Sequence, residues 1–187
     1  QYYIIRNDEV WQDIEKVLIE KAREGVEVRV LFDSMGCRSM HKKDWDRLKC
    51  EGIRVAEFFP AILGQLQMRV NYRNHRKIVV IDGKVGFVGG FNIGREYIGK
   101  DEKFGYWRDT HLCIEGAAVT FLAVRFVLGW NYAAHENLFL EDHLFEIPQY
   151  DRHGFDPVQI ISSGPDSQTK TIHDNYLHLI HSARNHV

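Results

Sequence analysis

The first 60 residues alternate between apolar runs of strand length and segments with helical periodicity. Residues 2–5 are typical of a short strand, and Asp8 suits the N-cap of the helix that follows. Apolar residues recur there at helical spacing: Val10, Ile14, Val17 and Leu18. Gly25 ends that helix, and the order then predicted is a strand at 26–31, a helix at 42–50 and a strand at 53–58. Such strand–helix–strand alternation predicts an α/β fold with a mixed sheet flanked by helices on both faces.

The middle of the chain is richer in predicted strands. After a loop at 59–74, the predicted elements are a strand at 75–81, a return strand at 85–91, a strand at 110–114 and a helix at 117–134. Asp82-Gly83 between the first two strands is a hairpin-turn signal. The polar segment 141–155 has the character of a linker.

The last 30 residues repeat the opening pattern. A strand is predicted at 158–161, a polar turn at 162–167, and then a helix whose end, Ala183-Arg184, is similar to Ala22-Arg23 in the first helix. We therefore predict a first domain at 1–155 and the start of a truncated second copy at 156–187.

Composition adds few constraints. The chain has 187 residues, of which 44% are hydrophobic and 27% charged, so one domain with a real core is expected. Its net charge of −2 argues against general binding of polyanions such as nucleic acid, so attraction to phosphate needs a local basic cluster. One such cluster is present: Arg69, Arg73, His75, Arg76 and Lys77. Three cysteines suit a reducing compartment, and the chain is expected to be soluble as it stands, although a membrane anchor outside it stays possible.

A candidate active site lies in the segment from His75 to Asp82, which has the pattern H-x-K-x4-D. On a strand, residues two apart face the same side, so His75 and Lys77 are expected to project together. An imidazole nitrogen can attack phosphorus, and an ammonium can neutralise the non-bridging oxygens of a phosphodiester. Glycines in the return strand allow a close approach, and the amide of Asn92 beyond them can donate to the same phosphate.

The run NHRKIVVIDGKVGFVGGFNIGREY at residues 74–97 resembles the phospholipase D superfamily. Within that superfamily the chain is similar to the bacterial cardiolipin synthases, through KAREGVEVRVLFD, NYRNHRK, YWRDTH and SSGPD. The resemblance covers essentially the whole chain. It implies a phospholipase D-type domain that is one of two halves, each with one H-x-K-x4-D motif, around a shared active site.

The resemblance also implies roles for individual residues. His75 is either the nucleophile that forms a phosphohistidine or the acid that protonates the leaving alcohol. Lys77, Asn92 and Gly90 hold the phosphate, and we assign to Asp109 the carboxylate that orients His75 through its other ring nitrogen.

Both carboxylates have a simpler structural interpretation. Asp82 belongs to the named motif, but a hairpin turn accounts for it without catalysis, and we favour that role. For Asp109 two interpretations have about equal weight: it orients His75, or it forms a buried ion pair with Arg108 or Arg95.

The function implied is condensation of two phosphatidylglycerol molecules to cardiolipin and glycerol. The partners implied are anionic phospholipid, a bacterial membrane surface facing the cytoplasm, and a second catalytic half or a second copy of the chain. No cofactor or metal is expected, since His178 and His181 have no third ligand at a suitable spacing. Two alternatives stay open: a phosphodiesterase of the same superfamily that acts on nucleic acid or another phospholipid, and a non-catalytic lipid-binding half-module.

Overall fold

The computed structural model describes residues 1–60, 72–138, 156–165 and 167–187. Its helices and strands are α1 (Glu9–Arg23), β1 (Arg29–Asp33), α2 (Lys42–Cys50), β2 (Arg54–Phe58), β3 (Ile78–Ile81), β4 (Val85–Gly89), β5 (His111–Glu115), α3 (Ala118–Ala134) and α4 (Thr171–Ser182). A 3₁₀ turn, Arg95–Ile98, follows β4 and was not foreseen from the sequence. The proposed linker at 141–155 lies outside the described residues, as does most of the loop before His75.

The strands form two groups joined by the N-terminal segment. β1 pairs in parallel with β2, and β3, β4 and β5 pair antiparallel in that order. Between the groups, Tyr2 N donates to Leu31 O at 3.0 Å and Ile78 N donates to Gln1 O at 2.9 Å. Residues 1–5 thus take the central position of a mixed sheet, where the sequence predicts a short strand.

Helices cover both faces of this sheet, as predicted. Successive residues of a strand point to opposite faces, so Phe32 of β1 stacks on Trp45 of α2 at a ring-centroid distance of 4.0 Å. Its neighbour Leu31 packs in a separate cluster with Trp130 of α3. The Asp8 side chain caps α1 by accepting from the backbone nitrogens of the first turn. The mixed α/β architecture is confirmed.

One expectation about the rest of the chain was wrong. Residues 158–161 form no strand; Ile160 instead packs against the core beneath β3 and β5, and among the described residues the segment has no strand to pair with. On α3, the face that carries Trp130 is buried, whereas Phe121 lies on the outer surface. The helix predicted near the C-terminus is present as α4, and all its side chains are at least partly exposed.

Candidate active site

His75 and Lys77 come together immediately before β3 and not within it. The predicted strand at 75–81 begins only at Ile78, because β4 leaves β3 after Val88 and its last residue, Gly89, pairs with β5 alone. The side chains still converge: Lys77 Nζ lies 3.1 Å from His75 Nδ1 and 3.3 Å from Nε2. The expected juxtaposition therefore arises from an irregular segment.

Lys77 is buried and His75 is open to solvent. The Lys77 side chain is only 4% exposed, and its ammonium donates to the backbone oxygen of His75 at 3.0 Å. The ring of Tyr3 lies beside both residues, 4.6 Å from the His75 ring and 5.5 Å from Lys77 Nζ. The arrangement fixes the Lys77 ammonium beside the imidazole, and His75 itself remains exposed to solvent. Nothing in the sequence pattern pointed to Tyr3.

The pKa values of both members of the pair are lowered, which favours a neutral His75 imidazole and makes the Lys77 ammonium easier to deprotonate than usual. Burial, followed by the charge of Lys77, lowers the pKa of His75. Burial lowers the pKa of Lys77 to about 8, and the carboxylate of Asp109 partly opposes that shift. At neutral pH the imidazole is therefore available as a nucleophile and the ammonium is largely protonated.

The buried carboxylate of Asp33 fixes the backbone that leads into His75. It ends β1, and its Oδ2 accepts from Asn74 N at 3.0 Å while its Oδ1 accepts from Met35 N at 2.9 Å. The guanidinium of Arg73 lies 3.7 Å from the same carboxylate. Asp33 was not among the predicted site residues, although a charged residue two positions after a predicted buried strand was the available signal.

Asp109 lies against the site but does not hydrogen-bond His75. Its carboxylate packs on Gly90 so closely that a Cβ there would overlap it, and it accepts from Thr110 N at 2.7 Å. The ion pairs considered for it are also not seen among the described residues, and Arg95 binds Asp101 instead. The charge of Asp109 acts on Lys77. Its role as the partner that orients His75 stays a prediction.

Asn92 and Asp82 have clear structural contacts. Asn92 Oδ1 accepts from Ile4 N at 2.9 Å, and its side chain interacts with the hydroxyl of Tyr97. Asp82 and Gly83 both have positive φ, 52° and 64°, and form the turn between β3 and β4. From Lys77 to Asp82 the chain advances about 16 Å if fully extended, so the turn places Asp82 at the opposite end of the strand from the histidine.

The basic cluster is divided among several partners. Arg73 faces Asp33, and Arg76 donates to Ser162 Oγ at 2.9 Å, which brings the segment 156–165 alongside the site. Arg69 and Asp166, the latter from the SSGPD motif, lie outside the described residues. Within the described part of the chain, no three His, Cys, Asp or Glu side chains gather as potential metal ligands. No described helix is long and apolar enough to span a bilayer.

The His75 imidazole and the buried Lys77 ammonium lie in the segment that leads into the β3–β4 hairpin, which is the arrangement expected of a phospholipase D-type domain. A family model described as "Cardiolipin synthase, PLD-like domain" matches residues 1–107, more than half of the chain. The chain belongs to this family.

Curated relatives agree with the family. Over 98% of its length the chain is 46% identical to the major cardiolipin synthase ClsA of Bacillus subtilis (strain 168), and 49% identical to cardiolipin synthase 2 of Staphylococcus epidermidis. It covers 38% of each of these proteins, so it spans well under half their length. Among solved structures, it is similar to the phospholipase D family member Nuc from Salmonella typhimurium, with 14% identity, a TM-score of 0.45, and coverage of 71% of this chain and 75% of that one.

Proposed function

We propose that this chain is one catalytic half of a phosphatidyltransferase that condenses two phosphatidylglycerol molecules into cardiolipin and glycerol. The observation that carries the proposal is the contact of 3.1 Å between Lys77 Nζ and the His75 ring, with the ammonium buried. A neutral imidazole beside a fixed cation suits attack on an anionic diester. The names of the relatives, which are cardiolipin synthases, support cardiolipin as the product.

The reaction has two displacements at phosphorus. A histidine nitrogen attacks, the bond from phosphorus to the glycerol oxygen breaks, and glycerol leaves with a proton from a second histidine. The primary hydroxyl of a second phosphatidylglycerol then attacks the phosphohistidine, loses its proton to that second histidine, and releases the first imidazole. Lys77 stabilises the negative oxygens in both steps, and Asn92 and the Gly90 backbone line the same phosphate position.

The second histidine is proposed to come from another half. The 187 residues contain one H-x-K-x4-D motif, and the relatives are much longer than this chain. The segment 156–187 is proposed as the beginning of that other half, and the assembled enzyme is proposed to work at a bacterial cell membrane on its cytoplasmic side.

Product analysis with phosphatidylglycerol vesicles tests the proposal. The assembled enzyme, meaning this chain together with a second motif-bearing half, should release glycerol and cardiolipin in equal amounts. Phosphatidic acid without cardiolipin would identify a hydrolase, and cleavage of nucleic acid a nuclease. Vesicle binding without any product would identify a lipid-binding module.

A further inference from the structure

The loop at residues 98–108, called the aromatic loop below, turns apolar side chains outward. Tyr106 is 87% exposed and Phe104 is 52% exposed, and Ile98 is also open to water. Isolated apolar residues on a surface are ordinary, but three within nine residues form a local apolar tip.

Hydrogen bonds to the backbone and carboxylate of Asp101 hold the shape of this loop. Asp101 organises the turn: its backbone oxygen accepts from Gly105 N at 2.8 Å and Phe104 N at 3.2 Å, and its side chain accepts from Lys103 N at 3.0 Å. Arg95 holds the same carboxylate at 3.3 Å. The loop is therefore a pre-formed turn. Of its two outward aromatic rings, Phe104 contacts Trp107 edge-on at a centroid distance of 6.2 Å, whereas Tyr106 is left almost fully exposed.

The charges of the aromatic loop favour an anionic surface. Lys100, Lys103 and Arg108 are exposed. Asp101 is turned inward to the hydrogen bonds above, which leaves Glu102 as the exposed acid of the loop. The tip is thus locally basic in a chain of net charge −2.

The base of the aromatic loop adjoins the active site. Trp107 packs edge-on against Tyr97 at a ring-centroid distance of 5.1 Å, and the Tyr97 hydroxyl is next to Asn92. Asp109, against Gly90, follows the loop directly. A surface that contacts the tip therefore lies close to the proposed phosphate position.

We propose that the aromatic loop docks on an anionic lipid surface, with Phe104 and Tyr106 in the headgroup region and the lysines against lipid phosphates. Amphipathic aromatic rings prefer that depth, and a basic residue near an anionic bilayer contributes about 1 kcal/mol. The proposal rests on the phospholipid chemistry proposed above and adds the surface through which the site reaches its substrate.

Co-sedimentation of the 187-residue chain with vesicles tests this surface. The probes are vesicles of mixed phosphatidylglycerol and phosphatidylcholine, compared with phosphatidylcholine alone. The double variant Phe104→Ser/Tyr106→Ser should lower partitioning to the anionic vesicles about tenfold, since binding scales with buried apolar area. The matched control is Phe121→Ser/Tyr132→Ser on α3, whose rings are 60% and 55% exposed.

A second variant, Lys100→Gln/Lys103→Gln, keeps the rings and removes charge. It should weaken binding to anionic vesicles and leave the weak binding to phosphatidylcholine unchanged. Equal losses from the loop and control pairs would mean general adhesion and would overturn the proposal, as would undiminished binding of the loop variants. If the loop variants changed self-association by light scattering instead, the loop would be a protein interface. Because binding needs no turnover, loop-dependent binding of this chain together with an assembled enzyme that makes no cardiolipin would refute the proposed function alone.

Discussion

Asp33 and Asn74 are 41 residues apart in the sequence and are joined by a hydrogen bond of 3.0 Å from the Asn74 backbone nitrogen to Asp33 Oδ2. This contact fixes the end of β1 to the residue directly before His75. The nucleophile candidate therefore depends on a buried carboxylate that does not touch the substrate position itself.

Replacement of Asp33 should reduce catalysis more than its effect on stability explains. Asp33→Ala leaves two backbone donors and Arg73 without their buried partner, which should cost about 2–4 kcal/mol of unfolding free energy. In the folded fraction kcat should fall while KM changes little, because the imidazole is misplaced and the lipid surface is not.

Asp44→Ala is the matched control for that experiment. Asp44 is also buried and accepts hydrogen bonds from Asn7 Nδ2 and His41 N, but it belongs to the start of α2. It should destabilise the fold and leave kcat per folded molecule intact. Equal kcat losses in the two variants would remove the case for Asp33 as a positioning residue.

His75→Ala should abolish phosphatidyl transfer by the assembled enzyme, with a loss of at least about a thousandfold, as is usual when a nucleophile or its acid is removed. His178→Ala, on the exposed face of α4, should behave as wild type. If His75 is the nucleophile, enzyme quenched during turnover should carry an acid-labile phosphoramidate on that residue. Activity above a few per cent in the alanine variant would exclude both roles.

The pH dependence should show two limbs set by the same pair of residues. Activity should fall at acid pH as His75 gains a proton, with a midpoint below the ordinary histidine pKa because that pKa is lowered. It should also fall as pH rises through about 8, where Lys77 loses its proton. Lys77→Arg, whose guanidinium stays charged, should lack the alkaline limb in whatever activity it retains. If the alkaline limb were unchanged in this variant, the loss of activity at high pH would have to come from the titration of another group.

Asp109 and Asp82 should respond differently to loss of charge. Asp109→Asn should lower activity about tenfold or more and move the alkaline limb to lower pH, because its carboxylate raises the pKa of Lys77. Asp82→Asn should be nearly neutral, since asparagine tolerates the left-handed conformation. Asp82→Ala should cost about 1 kcal/mol of stability and little activity per folded molecule. If Asp82→Asn instead lowered activity and Asp109→Asn did not, Asp82 would be the catalytic carboxylate and Asp109 the structural one.

The sequence predicted the parts of the molecule whose signals are local. Asp8 caps α1 as expected, and Asp82-Gly83 forms the expected turn. The contacts that complete the site are long-range: Asp33 reaches Asn74 across the sheet, and Tyr3 reaches His75 from the central N-terminal segment. No periodicity encodes such contacts, because they depend on which strands become neighbours.

The residue at which β3 begins was also not predictable from the sequence pattern. The apolar run from Ile78 to Ile81 follows His75 and Lys77 with no turn signal between them, so the sequence places both residues within the ladder. The structure ends the ladder at Ile78, where β4 leaves β3. The aromatic residues show another limit: the rings of Phe104 and Phe121 are both exposed, and sequence alone could not separate them from core residues.

The isolated 187-residue chain should be inactive in phosphatidyl transfer unless it pairs with a second motif. Attack by one histidine leaves an alkoxide that needs a proton, and the natural donor is a second imidazole on the opposite side of phosphorus. The chain contains one H-x-K-x4-D motif. A symmetric dimer could bring two His75 rings together, since His75 is open to solvent while Lys77 is buried beneath it. We therefore expect any activity of the chain alone to rise with the square of its concentration at low occupancy. Light scattering and transfer assays on the same samples check this, and clear turnover by a strictly monomeric chain would overturn the two-histidine mechanism.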